Sequence, residues 1–188
     1  MTDVDVLFVG YADDRVAGTV SCIRDGELVV IVDPGMVPDR SAILDPLRAL
    51  GVEAADVTDV ILSHHHPDHT MNVALFGNAR VHDTWAIYDG DRWTDRPADG
   101  AELSPNISLK ATPGHTAQDI TTLVRTDSDL VALTHLWWDE SSETDPLAED
   151  EDALQAGRAQ ILQVASLIIP GHGAPFVPGP PHTRSGPL

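Results

Sequence analysis

Apolar and β-branched residues fall first into short runs separated by polar and glycine turns. Val4 to Val9, Thr19 to Arg24 and Leu28 to Val32 have strand length, the last two joined through Asp25-Gly26. The period then changes. Ile43, Leu44, Leu47 and Leu50 recur at helical spacing after Pro38, which predicts a helix over Asp39 to Leu50, with Asp39 as its cap and Gly51 as its stop. Val60-Ile61-Leu62 reads as a buried strand that runs into Ser63-His64-His65-His66-Pro67-Asp68-His69, so the histidines stand where a strand gives way to a loop. Ala79 to His82, Ile107 to Ala111, Ile120 to Arg125 and Leu130 to Leu133 are further short strands, with Gly90 to Gly100 expected as an acidic connecting loop. Asp150 to Val164 predicts a second helix, and Leu167-Ile168-Ile169 a last strand ending at Pro170-Gly171-His172-Gly173.

Two strand-rich halves, each with helices, indicate an α+β fold: an αββα sandwich of two mixed β-sheets flanked by helices. A chain of 188 residues holds one ordinary core. The expectation is a single domain over residues 1–176, followed by a Pro-rich C-terminal tail over 177–188 that carries Pro178, Pro180, Pro181 and Pro187.

Charge narrows the partners. Eleven basic residues against 30 acidic ones give a net charge of −19, and Lys110 is the only lysine. Nucleic acid and anionic membranes are bound through cationic groups, so both are disfavoured and a small-molecule substrate is expected. The apolar runs are far short of the ~20 residues a bilayer helix needs, and the acidic start Met1-Thr2-Asp3-Val4-Asp5 lacks the order of a secretory signal. A single cysteine, Cys22, permits neither an internal disulfide nor a cysteine-rich metal site, and the reading is a cytoplasmic chain. Any metal is left to histidine and carboxylate.

His64, His66, Asp68 and His69 form the pattern H-x-H-x-D-H. In an extended segment His64 and His66 point to one side and can meet one cation, while the turn at Pro67 lets Asp68 and His69 face a second. Imidazole and carboxylate suit zinc, and also iron or manganese. Pro113-Gly114-His115 and Pro170-Gly171-His172 place two more histidines after glycines at strand ends, where backbone can approach a site closely. No G-x-S-x-G elbow and no Walker loop is present, which removes acyl-enzyme and P-loop readings.

Val32-Asp33-Pro34-Gly35, Ser63 through His69, Thr112-Pro113-Gly114-His115-Thr116 and Pro170-Gly171-His172-Gly173 together resemble the metallo-β-lactamase superfamily, and in particular its small stand-alone members. The resemblance implies metals in a groove along one edge of the sandwich. It assigns His64, His66 and His115 to a first metal and Asp68, His69 and His172 to a second, with two zinc ions expected. It makes Asp33 a hydrogen-bonding support of the metal loop and leaves His65 outside the ligand set. It further implies hydrolysis by a metal-bound hydroxide, with Asp68 holding that group and accepting a proton.

The departure from the family pattern lies at Leu133-Thr134-His135, where many members carry a bridging aspartate. Neutral imidazole has one free lone pair, so His135 serves one metal or none, and a more weakly held second metal follows. Trp137 and Trp138 directly follow and are candidates for the substrate pocket; two neighbours in a strand face opposite ways, so at most one of them is expected there unless the segment turns. Apolar walls favour a small ester, thioester, lactone or lactam. The alternatives are a phosphodiesterase or ribonuclease of the same fold, for which Arg80, Arg92 and Arg96 would have to form a patch, and a mononuclear iron sulfur dioxygenase.

Overall fold

A computed structural model describes residues 1–179. After β1 (Thr2–Phe8) the chain makes a small hairpin of β2 (Tyr11–Ala12) and β3 (Val16–Ala17), then enters β4 (Val20–Asp25) and β5 (Leu28–Val32). Helix α1 (Ser41–Ala49) carries it to β6 (Asp59–Ile61), and the one-turn helix α2 (Pro67–Thr70) precedes β7 (Arg80–His82), β8 (Ala86–Asp89) and β9 (Arg92–Asp95). The first sheet has the order β1-β4-β5-β6-β7-β8-β9. The second half supplies β10 (Glu102–Ser104), β11 (Ile107–Ala111), β12 (Ile120–Arg125) and β13 (Leu130–Thr134), then α3 (Glu151–Ile161) and β14 (Leu167–Pro170), which form the second sheet in chain order.

Both sheets are mixed. β5, β6 and β7 pair in parallel, as do β13 and β14, while the remaining pairs are antiparallel. A parallel pair needs a crossover, and the helices provide it: α1 links β5 to β6 and α3 links β13 to β14. Alternation along β5 then builds the layers. Val30 and Val32 face the inter-sheet core with Ile61, Ile107, Leu109 and Val131, whereas Ile31 joins Ile43 and Leu47 of α1 on the opposite face. On the far side Leu154 and Ile161 of α3 pack with Ala132 and Ile168. The fold is therefore the αββα sandwich.

Three local expectations are corrected. Asp39 lies before the helix rather than at its cap: Arg40 holds that position and the Asp39 carboxylate accepts from Ser41 N at 2.8 Å, a tight turn in front of α1. The segment Gly90 to Gly100 is not a plain loop, because Arg92–Asp95 pairs with Ala86–Asp89 around Gly90, whose φ of 62° suits glycine. That edge strand is exposed at every position, Trp93 included, so no apolar alternation marked it. The strand before the histidines ends at Ile61 rather than Leu62, and the expected loop leads into α2 with His66 extended at its cap. Of the expected tail, positions from 180 onward lie outside the described residues.

Among the described residues no helix is long and apolar enough to cross a membrane. The strand ends gather the chemistry at one edge. Asp33 follows β5, the histidine loop follows β6, His115 lies between β11 and β12, His135 follows β13 and His172 follows β14.

Candidate metal centre

The loop after β6 is fixed from below by Asp33. Its backbone has a φ of 53°, the left-handed region, at a cost of roughly 1–2 kcal/mol for a non-glycine residue. That conformation turns the carboxylate into the loop. Oδ1 accepts from Ser63 N at 2.7 Å, and Oδ2 accepts from Ser63 Oγ at 2.6 Å and from His69 Nδ1 at 2.9 Å. Gly35 completes the turn, and a Cβ there would lie 1.6 Å from the carbonyl oxygen of Asp68. Only glycine lets the two segments approach this closely.

Each ring on the rim is oriented through its outer nitrogen. His64 Nδ1 donates to Ser63 Oγ at 3.0 Å, His115 Nδ1 to Asp145 Oδ2 at 2.7 Å, and His172 Nδ1 to the Ala17 carbonyl at 3.1 Å. With His69 on Asp33, four imidazoles are oriented so that Nε2 faces inward. His66 instead turns Nδ1 inward, 3.0 Å from both His64 Nε2 and His115 Nε2. Asp68 Oδ2 lies 3.4 Å from His69 Nε2 and 3.6 Å from His172 Nε2.

Two groups thus converge, His64 with His66 and His115, and Asp68 with His69 and His172, the ligand atoms of each lying within 4.8 Å of one another. Inward lone pairs at 3.0 Å repel unless a proton or cation stands between them, and His69 Nε2 is fully buried with no hydrogen-bond partner. This donor set fits divalent cations of the zinc type.

His135 stands between the groups. Its Nε2 is 3.1 Å from His172 Nε2, its Nδ1 is buried without a partner, and it also comes within ligand distance of His64 with His69. Gly171 makes room for the ring, since a Cβ at that position would sit 2.5 Å from His135 Cδ2.

Burial and mutual repulsion push His64 and His135 well below the ordinary histidine range. Burial acts the same way on His69, but Asp33 and Asp68 outweigh it and raise that group to about 9. Burial works to raise Asp68, but its attraction to His69 and to His172 beside it brings it down to about 2. Asp119, buried behind His64 at 3.8 Å, is lifted to about 7 by burial even though Thr116 donates to it from both backbone and side chain.

Asp119, Asp145 and Ser63 had no assigned role in the sequence reading. Asp119 lies three residues beyond the Thr116 that ends the motif around His115, and Asp145 is 30 residues from its histidine in an acidic loop with no local signal. His65 points away from both groups, onto Asp83 at 3.2 Å and the Trp85 ring. The two tryptophans separate. Trp138 lines a cavity of about 310 Å³ whose floor includes His66, Asp68, His115 and His172. Trp137 does not: it is buried against Phe176 and the Arg158 guanidinium as part of the core under α3. The two rings are not on a strand: β13 ends at Thr134, and the turn and bend that follow it aim one ring into the core and the other at the cavity. Arg80 and Arg96 lie away from this cavity, paired with Asp59 and set beside His82.

The family model for the metallo-beta-lactamase superfamily matches residues 13–186. Metallo-beta-lactamase domain-containing protein 1 of Xenopus laevis is 36% identical over 191 residues, covering 92% of this chain and 80% of the relative. A hydroxyacylglutathione hydrolase of Albidiferax ferrireducens is 30% identical over 106 residues, 50% of this chain and 37% of the relative. In structure, a metallo-β-lactamase-type protein of Thermotoga maritima superposes with a TM-score of 0.78 at 18% identity, covering 94% of this chain and 99% of that one. With the motifs, the sandwich and the clustered histidines, these similarities establish that the chain belongs to the metallo-β-lactamase superfamily.

Proposed function

We propose that the chain is a hydrolase of a small acyl substrate, an ester, thioester, lactone or lactam, that works with two zinc ions. His64, His66 and His115 would hold the first and Asp68, His69 and His172 the second. The observation that carries this reading is the set of inward-facing ligand atoms, four of whose imidazoles are oriented by an acceptor on the outer nitrogen. Cations bound there would supply Lewis acidity toward a carbonyl oxygen and a lowered pKa for water.

The chain's own residues supply the rest. Asp33, Asp145 and Ser63 fix ring orientation, which removes reorganisation from the reacting state. Among the described residues Asp68 is the only carboxylate that both belongs to a ligand group and lines the cavity. It takes a proton from the attacking water and returns it to the leaving group. Trp138 forms an apolar wall beside the floor, and a 310 Å³ space suits a small substrate rather than a polymer. The hydrolase named among the relatives supports the same reaction class.

The test is hydrolysis of an ester, thioester and lactone panel before and after exhaustive chelation. Loss of activity on chelation and its return with zinc is expected; activity that survives chelation overturns the proposal.

A further inference from the structure

The cavity over the ligand groups has two lips, and both are apolar. Val16, on the hairpin of β2 and β3, and Leu147, before α3, line it from different segments, and both are unusually exposed for aliphatic side chains, at 41% and 65%. Trp138 forms the wall between the lips and the floor. Among the described residues, the only charged group on the walls above the floor is Asp13, at the hairpin tip.

No lysine or arginine lines this cavity among the described residues. Arg15 donates its backbone N–H to Asp13 Oδ1 at 2.9 Å, but its guanidinium sits over the Tyr11 ring at 5.0 Å and lines a neighbouring cleft, with Met36 and Pro38, that shares Asp13 and Val16 with this cavity. Arg158 is occupied behind the wall, donating to the carbonyls of Leu136 and Glu143. An anionic group on the distal part of a substrate therefore finds no counter-charge and meets Asp13, whereas an apolar chain finds aliphatic and aromatic surface.

We infer that the substrate is an uncharged acyl compound whose apolar chain lies between Val16 and Leu147 against Trp138, and that Asp13 selects against anionic chains. This inference rests on the hydrolase reading above and deepens it.

The experiment uses the zinc-loaded full chain and a matched pair, a hexanoyl ester and its ω-sulfonate counterpart with the same leaving group; sulfonate is a weak ligand for divalent cations. The uncharged ester is expected to show kcat/KM higher by about tenfold, the size of one charge contact near a protein surface. Asp13→Lys is expected to reverse most of that ratio, mainly through a rise in kcat/KM for the sulfonate. Equal kcat/KM for the two esters, or an unchanged ratio in Asp13→Lys, overturns the inference. Binding is read separately by calorimetry with hexanamide and its ω-sulfonate. Tighter binding of hexanamide without hydrolysis of any ester sustains the charge selection and overturns the hydrolase reading; equal binding of the two amides overturns the selection itself.

Discussion

Asp33 Oδ2 accepts a hydrogen bond from His69 Nδ1 at 2.9 Å while the same carboxylate binds the backbone and hydroxyl of Ser63. A residue in a left-handed conformation at the end of β5 thereby sets both the start of the histidine loop and the direction of one inward ring. Asp33→Ala removes three acceptor contacts from buried donors. We expect weaker zinc binding by about 10–100-fold, as for loss of an outer partner of a ligating histidine. Folding stability should fall by about 1–3 kcal/mol. Competitive chelation and denaturant unfolding measure the two; unchanged zinc affinity would remove Asp33 from the account.

Asp145 plays the matching part for His115, at 2.7 Å. Asp145→Ala should lower zinc affinity by about tenfold or more, and Asp145→Asn by less, because an amide oxygen still accepts from Nδ1–H. The ordering of the two variants in a chelator competition is the check. Equal losses would point to charge rather than orientation.

His135 offers a neutral ring where a carboxylate could compensate two dications. His135→Asp introduces a negative charge within a smaller side chain, so Gly171 does not obstruct it. The second equivalent of zinc is expected to bind about tenfold more tightly than in the parent chain. A titration in which both chains bind that equivalent alike contradicts this.

The adjacent tryptophans should fail differently. Trp137 is buried in the core under α3, so Trp137→Ala is expected to cost about 3–5 kcal/mol of stability. Trp138→Ala should leave stability closer to the parent and raise KM by about tenfold, the loss of one aromatic contact with substrate. Thermal melts and steady-state kinetics on the same two variants decide it; a matched loss of stability would place both rings in the core.

Acid stability has a separate source in Asp59, which is fully buried under Arg80 and His82. Burial raises its pKa, but the hydrogen bond from His82 and the charges of His82 and Arg80 outweigh it, holding the group below 3.8. A carboxyl group depressed on folding stabilises above its unfolded value and loses that contribution as pH falls through its folded one. Asp59→Asn should therefore be less stable than the parent at neutral pH, with the gap closing as pH drops below 3.8. A gap that stays constant into acid would refute this.

Much of this architecture is visible in the chain because its strands are buried. Leu28–Val32 matches its predicted bounds since Val30, Ile31 and Val32 are enclosed on both faces, and Ile107–Ala111 and Ile120–Arg125 agree equally well. Arg92–Asp95 escaped because an exposed edge strand carries no alternation. The converging histidines announce themselves through local motifs. Asp119 and Asp145 do not, because loop carboxylates acquire a partner only when the tertiary fold delivers it. Trp137 and Trp138 were adjacent candidates that sequence could not tell apart, since the choice of inward face depends on how the chain leaves β13.

Metal content separates a two-cation centre from a mononuclear one. Protein purified without added metal or chelator should contain about two zinc ions per chain by elemental analysis, one for each group of inward-facing ligands. A single iron per chain, with the Asp68, His69 and His172 group empty, would contradict it and favour mononuclear oxidation chemistry on the three-histidine group.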